Sequence, residues 1–321
     1  MDQRIHVRID TVNVWWEDLK FHIPVYLVKG KERALIDAGP PQRQSAGGLA
    51  KALEPFRVEI KDISQVLLTH GHLDHVGGLP EIKASGTAKV VIGREDAFHL
   101  SDHSRAFDEF YGLGTRFLAG EEALREDKAD FVMGAGPEFS ADRTVTEGDT
   151  IELGEGVELK VVQLPGHSNG SVGYYWGEEE VLFAGDSVPG LGGPDGSLPI
   201  IMDLAKYETS VDRLLAMPIK TLVFTHGYRA PRLPPSTIRR GVEIQEYLRD
   251  SKEVAARLTD VLRREAAGWA DRPFREVADG IIAMLPGEWG FAPLVGQLFP
   301  QFSVTTIYYG LKQFEQGRQE C

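Results

Sequence analysis

The stretch Val66-Leu67-Leu68-Thr69-His70-Gly71-His72-Leu73-Asp74-His75 decides how this 321-residue chain is read. Its first half is a short apolar run of the kind that forms a buried strand. Its second half places four metal-capable side chains within six positions. Imidazole nitrogen and carboxylate oxygen together suit zinc and other borderline divalent ions. In an extended or loop segment alternate residues face the same way, so His70 and His72 grip one ion together. Asp74 and His75 follow a turn and reach a second ion nearby. A lone histidine is usually a surface or satisfied core residue; three histidines and an aspartate this close together are not explained that way.

Three weaker signals lie downstream, each after a strand-like run and in a Gly-containing turn: Pro165-Gly166-His167-Ser168, Ala184-Gly185-Asp186-Ser187 and Thr225-His226-Gly227. Loops at strand ends suit ligands because a rigid sheet fixes their geometry. Five of the nine histidines fall in these turns or in the 70–75 stretch.

The surrounding pattern is that of an α/β protein. Val7–Trp16 and Ile23–Asp37 read as strands, the second interrupted by a hairpin turn at Gly30-Lys31. Ser45–Leu53 has helical spacing, and Lys89–Ile92 is another buried strand. Residues 94–131 carry scattered aromatics among many charges and read as a helical insertion. Thr150–Leu153, Val157–Leu164, Ser171–Trp176, Val181–Ala184 and Thr221–Thr225 read as strands, with a helix over Leu204–Met217. After Pro234-Pro235 the chain reads as helical to its end. Ser236 is the expected N-cap and Gly268 the stop of a first helix, Pro273–Leu285 forms a second, and Val304, Ile307, Tyr308, Leu311 and Phe314 mark a third. The expected organisation is a body over 1–235, with its insertion at about 94–131, and a helical extension over 236–321 that caps the cleft.

Composition narrows the function. The chain is 42% hydrophobic and 26% charged, as in ordinary globular proteins. Its net charge is −13, so its surface repels phosphate backbones and anionic lipid, and neither a nucleic acid nor a membrane is expected as partner. The single cysteine, Cys321, has no partner for an intramolecular disulfide. The N-terminus lacks the apolar core of a signal peptide. No apolar run approaches the roughly 18 residues of a membrane span. A cytoplasmic location is the resulting expectation, with a homodimer allowed but not required.

The ordered set H-x-H-x-D-H, later His, later Asp, final His resembles the metallo-β-lactamase-fold hydrolase superfamily over about residues 10–235. That resemblance implies a four-layer αβ/βα sandwich with metals in a cleft at one edge of its two sheets. It implies one ion held by His70, His72 and His167, and a second held by Asp74, His75 and His226. Asp186 would bridge the two, and Asp37, in Leu35-Ile36-Asp37-Ala38-Gly39, would support the ligand shell. Two divalent ions are implied, zinc first, with iron or manganese fitting the ligands nearly as well. A hydroxide bridging them would attack a polarised carbonyl, with Asp74 also orienting the nucleophile.

Within the superfamily, Asp186 in place of Cys and the presence of His75 argue against the dominant lactam-cleaving class. His72 excludes the flavodiiron branch, which has Glu there, and the chain offers no obvious clamp for the RNA-processing branch. The pattern resembles glyoxalase-II-like thioesterases and lactonases. Ser187–Ser197 has no Lys, Arg or Tyr to hold glutathione. Pro189 stands where lactonases of signal molecules usually place a Tyr. These features leave the two readings close. Thioesterase-like members of the family that accept acyl-CoA or acyl-carrier substrates can carry C-terminal helices capping the cleft, so with the helical extension the resemblance implies a thioesterase acting on a small acyl substrate of that type. The alternatives are a lactonase or esterase on a small lactone and a metal-binding regulatory protein with weak turnover. Arg229, Arg232, Arg239 and Arg240 cluster after His226, and Arg forks suit phosphate and carboxylate. Arg229 and Arg232 are candidate carrier contacts, and Trp289 and Phe291 are candidate lining for an apolar acyl pocket. His99 and His103 are expected to be solvent-facing or packing residues, and Trp15-Trp16 an edge-strand packing pair.

Overall fold

The computed structural model describes residues 5–17, 19–41, 48–193 and 195–319. Ser45 and Cys321 lie outside them. Two six-stranded sheets form the centre. In the first, β1 (Ile9–Trp16), β2 (Phe21–Lys29) and β3 (Arg33–Ile36) form an antiparallel meander, followed by β4 (Gln65–Leu67), β5 (Lys89–Gly93) and β6 (Arg143–Val145) in parallel. The second runs in the order β12-β11-β10-β9-β8-β7. Its strands are β7 (Thr150–Gly154), β8 (Val157–Gln163), β9 (Val172–Trp176), β10 (Val181–Gly185), β11 (Thr221–Ala230) and β12 (Leu233–Arg240). Only the β10–β11 pair is parallel there.

The sheets face each other across a core of Tyr26, Ile36, Leu67 and Val91 from the first and Leu159, Tyr174, Phe183 and Val223 from the second. Parallel strands buried on both faces must be apolar almost throughout, and Val90-Val91-Ile92 and Val181-Leu182-Phe183 are. Helices α1 (Gly48–Leu53), α2 (Leu73–Val76) and α3 (Leu79–Ser85) lie on the first sheet's side, where Leu49, Leu53, Val76, Leu79 and Ile82 cover Val66 and Val90. The insertion is helical, as its composition suggests, with α4 (Phe98–Ser101), α5 (His103–Ala106), a π-turn over Phe107–Tyr111, α6 (Gly112–Leu118) and α7 (Glu121–Gly134). The second sheet's outer face is covered by α8 (Leu204–Ala216), α9 (Val242–Glu265), α10 (Phe274–Ala283) and α11 (Pro300–Gln319). The result is the four-layer α/β/β/α sandwich. Among the described residues no helix is long and apolar enough to cross a membrane.

Three expectations change. Ser236 does not cap a helix: residues 233–240 are the edge strand of the second sheet, paired antiparallel with β11, and the helix starts at Val242 after Gly241. The boundary expected at 235 therefore falls inside a strand. Pro234-Pro235 does not end the sheet because proline is tolerated on an edge, where no ladder N–H is needed. Strand β11 runs on to Ala230, so His226 sits within it, where the register shifts between Val223 and Tyr228. Finally, β6 has no counterpart among the strands expected from the sequence, being three residues long and largely exposed.

Candidate metal centre

Each ligand position is held at a strand end or strand irregularity, on one edge of the two sheets. Asp37 follows β3, the 70–75 stretch follows β4, His167 follows β8, Asp186 follows β10 and His226 interrupts β11. The structure gathers them into two clusters, His70–His72–His167 and Asp74–His75–Asp186–His226.

In the first cluster three imidazole nitrogens converge. His167 Nε2 lies 3.2 Å from His70 Nε2 and 3.0 Å from His72 Nδ1. Zn–N bonds of about 2.0–2.1 Å in a tetrahedral shell hold ligand nitrogens about 3.3–3.4 Å apart, close to this spacing. His167 Nδ1 lies 3.0 Å from the Ile200 carbonyl, which can only accept, so Nδ1 carries the proton and Nε2 presents its lone pair. Burial and the neighbouring imidazoles push His70 and His72 well below the ordinary histidine range. Burial likewise lowers His167. Three neutral, buried imidazoles aimed at one point suit a cation.

In the second cluster carboxylates dominate. His226 Nε2 lies 2.8 Å from Asp74 Oδ2 and 3.3 Å from Asp186 Oδ2, and His75 Nε2 is 3.3 Å from the same Asp186 oxygen. Asp186 Oδ2 is also 3.9 Å from His167 Nε2, so one oxygen faces both clusters, while buried Oδ1 has no partner among the described residues. Burial opposes charge on His75, but Asp37, Asp186 and Asp74 outweigh it and hold the imidazole well above its ordinary range. Burial would raise Asp186, yet His226, His75 and His167 draw it far below the carboxylate range. Excess donor capacity and an orphaned buried oxygen fit a second cation.

The supporting shell is fixed by Asp37, which sits in the left-handed region at φ 63°, a strained backbone that Asp tolerates better than most residues. It takes the Thr69 N–H at 2.8 Å, the Thr225 hydroxyl at 3.2 Å and His75 Nδ1 at 2.8 Å. Gly185 brings β10 against this group, since a Cβ there would stand 2.3 Å from Thr69 Oγ1.

Sequence reasoning missed two contributors. Asp96, fully buried just after β5, accepts from Gly71 N at 3.0 Å, Ser168 Oγ at 2.6 Å and Gly170 N at 2.7 Å, tying the His70–His72 loop to the His167 loop. Its signal is present in the chain: it is another acid following a buried strand. The insertion also reaches the site, because Phe110 stacks on His72 at 3.9 Å and Tyr111 Oη accepts from Leu73 N.

The candidate substrate contacts separate. Arg229 is half-buried; its Nε donates to Gly193 O at 3.0 Å and its guanidinium lies 5.8 Å from the Phe291 ring. Among the described residues its terminal nitrogens have no acceptor. Arg232, by contrast, is paired with buried Asp250 and flanked by Glu246 and Glu253. Trp289 is buried in the hydrophobic cluster that joins the extension to the second sheet. Arg239 is buried against Tyr228 and Pro234 carbonyls. His99 and His103 are both buried, so they pack; His99 lies edge-on to His72 at 5.8 Å.

A two-sheet sandwich with paired His/Asp clusters on one edge defines a class of metal-binding α/β proteins. The chain belongs to the Metallo-beta-lactamase superfamily, whose family model matches residues 20–226. It is 31% identical over 220 residues to a probable metallo-hydrolase of Bacillus subtilis, covering 63% of this chain and 66% of that one. It is 29% identical over 175 residues to a hydroxyacylglutathione hydrolase of Rhodospirillum rubrum, covering 53% and 51%. An atrochrysone carboxyl ACP thioesterase of Pseudocercospora fijiensis is 24% identical over 240 residues, covering 74% and 55%. The chain thus spans less than two thirds of the length of these curated relatives. A metallo-beta-lactamase family protein from Thermus thermophilus shares the fold over 99% of this chain and 95% of its own, with TM-score 0.68 and 22% identity.

Proposed function

We propose that the protein is a dinuclear-metal hydrolase that cleaves a thioester of acyl-CoA or acyl-carrier type. The observation that carries this reading is the single Asp186 oxygen facing both His-containing clusters, the arrangement a bridging ligand needs. His70, His72 and His167 would hold one ion, and Asp74, His75 and His226 the other. Two bound divalent ions supply a water acidified toward neutral pH and a Lewis acid for the scissile carbonyl. Asp74, on the rim of the second cluster, would orient the attacking water as well as help hold the ion. No side-chain nucleophile is required.

Support for a thioester comes from relatives named for acylglutathione and acyl-carrier substrates. Glutathione itself fits poorly, because Ser187–Ser197 lacks Lys, Arg and Tyr. The positive group beside that loop is Arg229, reaching across from β11. With Phe291 beneath it, Arg229 would take an anionic carrier group next to an apolar acyl chain.

The test is a substrate panel on zinc-replete protein: a medium-chain acyl-CoA, a hydroxyacylglutathione, an uncharged ester and a small lactone. Acyl-CoA turnover abolished by chelation and restored by zinc is expected. Efficient lactone hydrolysis with no thioester turnover would transfer the assignment to a lactonase. Full metal loading with no turnover on any member would favour a regulatory, metal-binding role.

A further inference from the structure

Helix α11 lies wholly outside the region that matches the family model, yet it is bonded to the backbone that orients a candidate metal ligand. Residues 197–203 form a strap between β10 and α8. On one side the strap is fastened to the His167 turn: Ile200 O faces His167 Nδ1 at 3.0 Å, and the N–H groups of Met202 and Asp203 donate to Gly166 O at 2.7 and 3.0 Å. On the other side it is fastened to α11. Thr306 Oγ1 donates to Pro199 O at 2.6 Å and accepts from Ile201 N at 2.9 Å, bracketing residue 200. Ser303 Oγ accepts from Leu198 N at 2.8 Å and donates to Gln297 Oε1 at 2.8 Å. Ser303 and Thr306 are fully buried.

Mid-helix hydroxyls with no apolar role are costly to bury unless both donor and acceptor capacity are used. Thr306 uses both, on the two residues either side of the carbonyl that fixes the His167 tautomer. A ligand's outer partner sets its ring orientation and basicity, and loss of such a partner weakens metal binding about 10–100-fold.

We propose that Thr306, assisted by Ser303, is a positioning residue for His167, so that the C-terminal helix sets metal affinity at the His70–His72–His167 cluster. This rests on the two-ion reading above. Without the hydroxyl, Pro199 O and Ile201 N lose their buried partners, the Ile200 carbonyl drifts, and His167 is free to rotate or switch tautomer. The Asp74–His75–His226 cluster makes no bond to the strap and should be unaffected.

The experiment titrates the metal-free full chain with zinc against a competing chromophoric chelator, resolving two binding steps, for the unsubstituted protein, Thr306→Val and Thr306→Ser. Thr306→Val is expected to weaken one step about tenfold and leave the other in place, and Thr306→Ser, which keeps the hydroxyl, to restore it. A merely structural role would lower the melting temperature of the metal-free protein without splitting the two steps. If Thr306→Val does not fold, Ser303→Ala, which removes one strap bond, is expected to give the same selective loss in smaller degree. Equal weakening of both steps, or none, in a folded variant overturns the proposal. Failure of the unsubstituted protein to take up two ions would instead overturn the two-ion reading.

Discussion

Asp37 Oδ2 stands 2.8 Å from His75 Nδ1, and both groups are fully buried. That contact fixes which His75 nitrogen is free: with Nδ1 tied to a carboxylate, Nε2 points at Asp186 and the second cluster. The same carboxylate binds Thr69 and Thr225, so one residue ties β3 to the ends of β4 and into β11, across both sheets.

Asp37→Asn tests this arrangement with little backbone disturbance, because Asn also tolerates the left-handed conformation. Its amide nitrogen would face a group that already donates. Zinc affinity of one of the two binding steps should fall about tenfold or more, with the other step retained. Unchanged affinity at both would mean that His75 needs no such orientation.

Elemental analysis should find two ions per chain in protein prepared with metal. His72→Ala removes one of three nitrogens from the first cluster and should reduce the content toward one. Asp186→Asn replaces the carboxylate that would bridge the two ions with a neutral amide, so on the proposed reading it should remove most hydrolytic activity while circular dichroism stays that of the folded sheets. Wild-type turnover in a fully loaded Asp186→Asn protein would assign the bridge elsewhere.

Arg229→Glu reverses a charge of the expected arginine cluster that lies beside the post-Asp186 loop, with terminal nitrogens that find no acceptor among the described residues. For an acyl-CoA substrate KM should rise several-fold with kcat nearly unchanged, the signature of lost ground-state binding, while an uncharged ester should be unaffected. Arg232→Glu should instead destabilise the fold, since it would set a second carboxylate against buried Asp250. Equal effects of Arg229→Glu on both substrates would remove Arg229 from substrate recognition.

What the sequence disclosed and what it hid follow from chain distance. His70, His72, Asp74 and His75 are legible because they crowd into one loop, and the apolar strands are legible because burial on both faces leaves continuous Val, Leu and Ile. Asp96 is as buried and as firmly bonded as Asp37, but its partners Gly71, Ser168 and Gly170 are glycine amides and a serine, residue types that announce no chemistry. Thr306 lies 107 positions beyond Pro199, and it acts on the His167 strap through backbone groups that almost any residue could supply. Strand β12 is hidden because its proline pair and arginines carry no alternation, and its pairing with β11 supplies what local propensity does not.

Asp96 offers the sharpest test of whether the two ligand loops are held as one unit. Its two carboxylate oxygens satisfy Gly71 N, Gly170 N and the Ser168 hydroxyl, and a Cβ on Gly170 would stand 2.3 Å from Asp96 N, so the chain there leaves no room for a side chain at residue 170. Asp96→Ala would take the buried acceptor from the Gly71 and Gly170 N–H groups, at about 1–3 kcal/mol for each that finds no replacement, while the Ser168 hydroxyl keeps Ser171 Oγ at 2.7 Å. The melting temperature should therefore drop by several degrees. Because Gly71 lies between His70 and His72 and Ser168 follows His167, the loss should also fall on the His70–His72–His167 cluster. Zinc should leave the variant at lower chelator concentration than it leaves the unsubstituted protein, and saturating zinc should recover part of the lost thermal stability by mass action. A variant that melts early yet keeps zinc as tightly as the unsubstituted chain would confine Asp96 to holding the fold.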